Sequence, residues 1–111
     1  MKKMISIIII LKNDPEVINT LASINEQNYK GEVEIIIVDR STIKYPKLKM
    51  KYPTMWIRYA KSSKRYTIPE QRNMGISKAL GDIIVFIDAS CIADKNWLSE
   101  LVLPIQKLKE N

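Results

Sequence analysis

Polar residues that could bind a ligand follow three apolar runs of the chain. Asp39 ends the run VEIIIVD, Asp88 ends the run DIIVFID with Ser90 two residues later, and Asn13 closely follows the run MISIIIIL. If the runs are parallel strands, their carboxyl ends share one sheet edge, where ligands of α/β folds bind. The N-terminus of a helix over 69–80 is a fourth candidate, since helix N-termini favour anions. Asp88 could belong to a metal and nucleotide site, do other chemistry, or only end a strand.

Composition excludes several kinds of active site. The chain has no His, which removes the Ser-His-Asp triad and any His-rich zinc site. Its three glycines, Gly31, Gly75 and Gly81, form neither a Walker loop nor a GxGxxG turn. The single cysteine, Cys91, allows no internal disulfide, which favours a reducing, cytoplasmic setting; we predict it to be a small buried residue. The longest apolar run, 4–11, is far shorter than the ~20 residues that span a bilayer.

Positive charge is concentrated in one segment of the chain. Eight basic and no acidic residues lie between Lys44 and Arg65, whereas the remaining residues include 10 basic and 12 acidic ones. Aromatic residues stand among these charges, namely Tyr45, Tyr52, Trp56 and Tyr59. The pattern fits an anionic partner at 44–65, either a single-stranded nucleic acid or an anionic membrane surface. We favour the simpler interpretation of a solvated loop whose aromatic residues pack on the sheet.

The apolar runs and helix signals together predict an α/β fold. The three Ile- and Val-rich runs do not alternate with polar residues, which is typical of parallel strands covered on both faces. A fourth, weaker run covers 55–60. Helices are predicted between the first two strands, over 69–80, and from Asp94 onward, with Pro104 kinking or ending the last one. The order β-α-β-β-α-β-α indicates one domain over residues 1–111, with helices on both faces of a parallel sheet.

Four segments, in this order, resemble the nucleotide-binding half of family 2 glycosyltransferases: SIIIILKND, EIIIVDRST, QRNMGISKALGDIIVFIDAS and ADKNWLSEL. Arg72, Asn73 and Gly75 match an Arg-Asn-x-Gly signature that precedes a Gly-Asp-apolar strand. The resemblance covers nearly the whole chain except 43–66. It implies a parallel-sheet, Rossmann-like (GT-A-type) α/β/α sandwich. That sandwich is expected to be truncated, because in the family an acceptor-binding half follows this point.

The resemblance also implies a role for each residue at the predicted sheet edge. Asp39 matches the acidic residue that contacts the base of the sugar nucleotide. Arg72 matches the Arg near the diphosphate, and Asp88 matches the first carboxylate of the Asp-x-Asp motif, near the ribose. Asn13, in the loop after the first strand, is added to these three. The predicted nucleotide-binding residues are therefore Asn13, Asp39, Arg72 and Asp88.

Two positions depart from the family pattern in charge. Ser90 stands where the second carboxylate of Asp-x-Asp normally helps hold a divalent metal, and Arg40 stands where an Asp-Asp pair has its second Asp. Mg²⁺ and Mn²⁺ prefer carboxylate oxygens, and Ser90 offers only a hydroxyl. Asp88 and Ser90 are therefore expected to bind Mg²⁺ or Mn²⁺ weakly and with help from the nucleotide.

The implied activity is transfer of a sugar from a nucleotide diphosphate donor to an acceptor. In the family the acceptor walls and the catalytic base come from the half that follows, so the catalytic residues are unknown. A homo-oligomer or a partner chain is expected to complete the site. Two alternatives stay open: a non-catalytic nucleotide-binding or partner-dependent module, and a nucleic-acid-binding protein that uses the basic stretch 44–65.

Overall fold

The computed structural model describes residues 3–42, 52 and 54–110, with side chains placed as far as residue 105. In this part of the chain the elements follow the predicted order, namely β1 (Ile5–Leu11), α1 (Val17–Asn25), β2 (Val33–Asp39), β3 (Trp56–Lys61), α2 (Ile68–Lys78), β4 (Ile83–Asp88) and α3 (Trp97–Glu110). The strands form one parallel sheet in the order β3-β2-β1-β4. The α/β prediction is confirmed. None of the described helices has the length and apolar character needed to cross a membrane.

The two faces of the sheet are covered by different helices, because neighbouring strand residues point to opposite faces. On one face, Ile7 belongs to a core cluster with Leu21 of α1 and Leu98 of α3. On the other face, Ile8 belongs to a smaller cluster on which Met74 of α2 packs. The central strand β1 is covered on both sides, which explains why its sequence is apolar without alternation.

Strand register brings the polar strand ends to one edge of the sheet. Asp39, the last residue of β2, pairs with Leu11 of β1 on one side and with Lys61 of β3 on the other. Asp88, the last residue of β4, pairs with Ile10. The predicted common edge for Asp39 and Asp88 is therefore confirmed.

Helix α2 lies directly against the sheet. It begins at Ile68, one residue before the predicted start, because Thr67 and Glu70 form a capping box in which each side chain accepts from the other's backbone N–H. A Cβ at Gly75 would approach the Ile8 side chain to 2.6 Å, so only a glycine allows this contact. Gly75 therefore permits close packing of α2 on β1.

Two local expectations are corrected. Helix α3 continues past Pro104 to Glu110, so the proline does not end it, while a kink at Pro104 stays a prediction. Pro104 and Glu100 are exposed, so the Glu100 carbonyl, which the proline cannot hydrogen-bond, can be solvated. Cys91 is exposed and not buried, because it lies in the loop after β4, beyond the edge of the sheet.

Helix α2 leaves part of its own sheet face uncovered. It contacts β1 and β2, whereas β4 forms the outer edge of the sheet. The side chains of Ile84 and Phe86 on this face are 38% and 42% exposed, and Leu80 in the preceding turn is 63% exposed. The last strand therefore presents apolar surface beside an unpaired edge.

A buried carboxylate holds the carboxyl end of α2 to the sheet. Glu34 of β2 is fully buried and accepts hydrogen bonds from Ser6 Oγ (2.6 Å), from the Leu80 backbone N–H (2.6 Å) and from Arg58 Nη1 (2.8 Å). Ser6 Oγ also accepts from the Gly81 N–H at 2.8 Å. Burial opposes the charged form of Glu34, but these hydrogen bonds and the Arg58 charge outweigh it and lower the pKa of Glu34 below its ordinary value of 4.5.

Replacing Glu34 should destabilise the fold in a pH-dependent way. We expect Glu34→Gln to lower the unfolding free energy at pH 7 by about 3 kcal/mol, because it leaves Arg58 without its buried partner. A lowered pKa gives stability that is fully present above pH 4.5 and is lost as the pH falls through the folded-state pKa. Urea unfolding between pH 3 and pH 7 should therefore show a shallower acid slope in the variant.

The matched control is Glu26→Gln, which changes an exposed glutamate at the end of α1. It should keep the wild-type acid slope. Equal slopes for wild type and Glu34→Gln would contradict the role assigned to the buried carboxylate.

Candidate functional site

A cleft of about 280 Å³ lies at the carboxyl edge of the sheet, beyond the ends of β1 and β4. The turn after β4 and the first turn of α2 form two of its walls. Its polar lining residues are Lys12, Asp14, Arg40, Gln71, Asp88 and Ser90. The structure thus brings Asp88 and Ser90 together in one cleft, at the place where ligands of open parallel sheets bind.

Polar residues of α1 hold the turn that carries Ser90. Thr20 Oγ1 donates to the Ala89 carbonyl at 2.6 Å, and Ser23 Oγ accepts from the Ala93 N–H at 2.9 Å. Thr20 is fully buried, so its hydroxyl replaces the water that the carbonyl of Ala89 would otherwise bind. Helical spacing places Thr20 on the buried face of α1 with Val17 and Ile24, and it does not predict that Thr20 supports a site.

Asp39 lies at the same edge but beneath the surface. Its side chain is fully buried; Oδ1 accepts from the Ser41 N–H at 2.7 Å, and Oδ2 accepts from the Tyr59 hydroxyl. Lys61 Nζ lies 3.7 Å from Oδ2 and donates to the Ser41 carbonyl at 2.9 Å. The carboxylate is thus held by β3, and a ligand that binds it must displace or share these contacts.

Asn13 links the loops that follow β1 and β2. Its φ of 49° lies in the left-handed region, which Asn tolerates better than most residues. Its Oδ1 accepts from the Thr42 N–H at 2.9 Å, and its own N–H donates to Ser41 Oγ at 2.6 Å. These contacts shape the cleft rim, while Asn13 itself is not among the residues that line the cleft.

Arg72 lies apart from the cleft. The early start of α2 puts it in the second turn, where it is exposed, and its guanidinium carbon lies 5.7 Å from the centre of the Phe86 ring. The capping box already occupies the N-terminus of this helix. There the Glu70 carboxylate accepts a hydrogen bond from the Thr67 N–H, and this bond lowers the pKa of Glu70. The helix end therefore already holds an anionic group of the chain, which weakens its predicted role as an anion site.

Sequence reasoning gave no binding role to Lys12 and Arg40, the two cations that line the cleft. Arg40 and Lys12 each follow a strand end directly, and this adjacency was the available signal. Arg40 Nη1 donates to the Tyr66 carbonyl at 2.8 Å, but in the described part of the chain its buried Nε has no hydrogen-bond partner. Neither cation forms an ion pair with another described residue.

The side chains of the cleft do not fit a preformed metal site. Among the residues that the structure describes, no three acidic, Cys or His side chains converge on a point. Asp88 supplies the one carboxylate of the sequence motif, Ser90 supplies a hydroxyl, and Asp14 Oδ1 already accepts from the Glu16 N–H at 3.0 Å. Mg²⁺ needs near-complete oxygen coordination, which this set lacks without ligand or water oxygens.

The basic stretch is described only in part. Four of its cations, Lys44, Lys47, Lys49 and Lys51, lie outside the described residues. Of the others, Arg58 pairs with Glu34 and Lys61 with Asp39, so both serve the fold. Lys64 and Arg65 are exposed. An anionic partner at 44–65 stays a prediction.

The sequence matches one protein family and is similar to curated proteins. Residues 6–111 match the family described as Glycosyl transferase family 2. A probable N-acetylgalactosaminyltransferase 6 from Caenorhabditis elegans is 31% identical over 110 residues, which cover 91% of this chain and 18% of that protein. The chain thus spans about a fifth of the length of this curated relative.

Solved structures share the fold. S. aureus TarS 1–349 in complex with UDP-GlcNAc matches with a TM-score of 0.81 at 23% identity, covering 93% of this chain and 31% of that one. Mannosyltransferase PcManGT from Pyrobaculum calidifontis, in complex with GDP-Man and Mn²⁺, matches with a TM-score of 0.74 at 23% identity, covering 84% and 29%. These matches confirm the GT-A-type fold. Since the family match runs from residue 6 to residue 111, the chain belongs to glycosyl transferase family 2.

Proposed function

We propose that this chain binds a nucleotide diphosphate sugar at the carboxyl edge of its sheet, as the donor for sugar transfer to an acceptor. The observation that carries the proposal is the cleft that contains Asp88 and Ser90 beside Lys12 and Arg40, two cations that pair with no described carboxylate. The similar structures of TarS and PcManGT contain UDP-GlcNAc and GDP-Man, which supports this class of ligand.

The cleft offers the proposed ligand both a carboxylate acceptor and positive charge. Asp88 is exposed at the end of β4, where a carboxylate can accept hydrogen bonds from sugar hydroxyls. Lys12 and Arg40 offer positive charge for a diphosphate. Asp39 lies deeper at the same edge and is the proposed contact for the base. The base would replace the Tyr59 hydroxyl as the hydrogen-bond donor to Asp39.

The alternative is a nucleotide-binding module without catalysis, and one set of contacts favours it for the 111 residues taken alone. Asp82 Oδ2 accepts from the Met4 N–H at the opposite edge of the sheet, and Asp94 Oδ2 accepts from the Asn96 N–H before α3. Neither carboxylate lines the cleft, so neither is placed to act as a base there. We further propose a cytoplasmic setting, which rests only on the single cysteine.

Nucleotide binding should depend on Asp88. We expect calorimetry to detect binding of UDP or GDP to the wild type, and Asp88→Asn to weaken it about tenfold, because a charge-assisted hydrogen bond contributes about 1.5 kcal/mol. Asp39→Asn should weaken it as well, provided that its melting temperature shows an intact fold. Asp82→Asn is the matched control, since its carboxylate lies at the far edge. Parental affinity in both test variants would place the site elsewhere.

Metal binding should be weak and should require nucleotide. The free protein is expected to show no tight Mn²⁺ site, and Ser90→Asp should raise Mn²⁺ affinity in the presence of UDP roughly tenfold, because it adds a second carboxylate. Ser77→Asp, on the exposed side of α2, should change nothing. Manganese titration followed by electron paramagnetic resonance measures both, and tight Mn²⁺ binding by the free wild type would refute the expectation.

Sugar transfer by these 111 residues alone should be negligible. An inverting transferase needs a base within about 2.6–3.2 Å of the acceptor hydroxyl, and the chain has no His to provide one. Donor turnover measured with a panel of acceptors tests sugar transfer. Light scattering measures the mass in solution and so tests whether a second copy covers the apolar surface around Phe86. A monomer that transfers sugar unaided would contradict this prediction.

A further inference from the structure

We propose that Lys12 and Arg40, and not a divalent cation, neutralise the diphosphate in this cleft, so that donor binding does not require metal. The inference rests on the proposed function and concerns the charge balance of the same site. It assigns a phosphate-binding role to two residues that each directly follow a strand end.

The first support is the state of Arg40. Its side chain is partly buried, and Nη1 donates to the Tyr66 carbonyl at 2.8 Å, which fixes one end of the guanidinium. Nε is buried without a partner among the described residues, and no described carboxylate pairs with the group. A partly buried cation without a nearby counter-charge loses part of its hydration, and a bound anion offsets that loss. Arg also presents its donors in a planar fork that suits phosphate oxygens.

The second support is the place of Lys12 in the same cleft. Lys12 follows β1, the strand between those that end in Asp39 and Asp88. It is exposed, and it forms no ion pair with any described residue. Its flexible ammonium group can therefore reach a phosphate without breaking an existing contact.

The third support comes from the other groups that could neutralise a diphosphate. Ser90 is uncharged, and the described residues contain no cluster of three acidic, Cys or His side chains to hold a metal ion. The start of α2 already binds the Glu70 carboxylate through Thr67. Arg72 contacts Phe86 outside the cleft. Among the described lining residues, Lys12 and Arg40 are thus the available positive charges.

The test is calorimetric titration of the whole chain with UDP, GDP and inorganic pyrophosphate, in EDTA and in Mn²⁺. At least one of these diphosphates should bind in EDTA, with an affinity within about threefold of that in Mn²⁺. Arg40→Ala and Lys12→Ala should each weaken binding roughly 10- to 100-fold in EDTA, since each removes a charge-assisted contact. Binding of uridine or guanosine, which have no phosphate, should not change.

The matched control is Lys64→Ala, which removes an exposed cation outside the cleft and should bind like the wild type. Lys12→Ala changes an exposed side chain, so it gives a result even if Arg40→Ala unfolds the loop. Binding that appears only with Mn²⁺, or parental affinity in Lys12→Ala and in a folded Arg40→Ala, overturns this inference and leaves the proposed function standing. Absence of binding with and without Mn²⁺ overturns both.

Discussion

The buried carboxylate of Glu34 is the contact on which the arrangement of α2 depends. It accepts from Ser6 of β1, Arg58 of β3 and the Leu80 N–H after α2, so one charged group joins three elements. A buried charge is tolerated only when it is paired and fully hydrogen-bonded, and these partners meet that requirement together. Because the network lies at the amino edge of the sheet, it spares the carboxyl edge, where the cleft forms.

The cleft depends in turn on how α2 and α1 meet the strand ends. Gln71 is almost completely buried and donates to the Val38 carbonyl at 3.0 Å, which holds the start of α2 near the ends of β1 and β2. Gly75 permits this close approach beside Ile8. On the other face, Thr20 of α1 holds the turn after β4. Backbone carbonyls left free at strand ends are thus bound by side chains, which gives the ligand edge a defined shape.

Charge distinguishes this site from a carboxylate-based metal centre. The cleft combines the carboxylates of Asp14 and Asp88 with Lys12 and Arg40, and no ion pair joins them in the described structure. A nucleotide diphosphate sugar carries both hydroxyls, which carboxylates accept from, and phosphates, which cations bind. The mixed lining therefore suits the ligand class that we propose, and the family to which the chain belongs is in keeping with that proposal.

The order of elements, the parallel sheet and the common edge of Asp39 and Asp88 were determined by the sequence, because buried strands require long apolar runs and parallel strands align their carboxyl ends. Tertiary structure decided what each polar residue does. Burial enclosed Asp39 beneath Tyr59, the Thr67 cap set the start of α2, and tertiary packing placed Arg72 over Phe86. The two side-chain contacts join residues 20 and 14 positions apart in the sequence, so neither local spacing nor residue type specifies them.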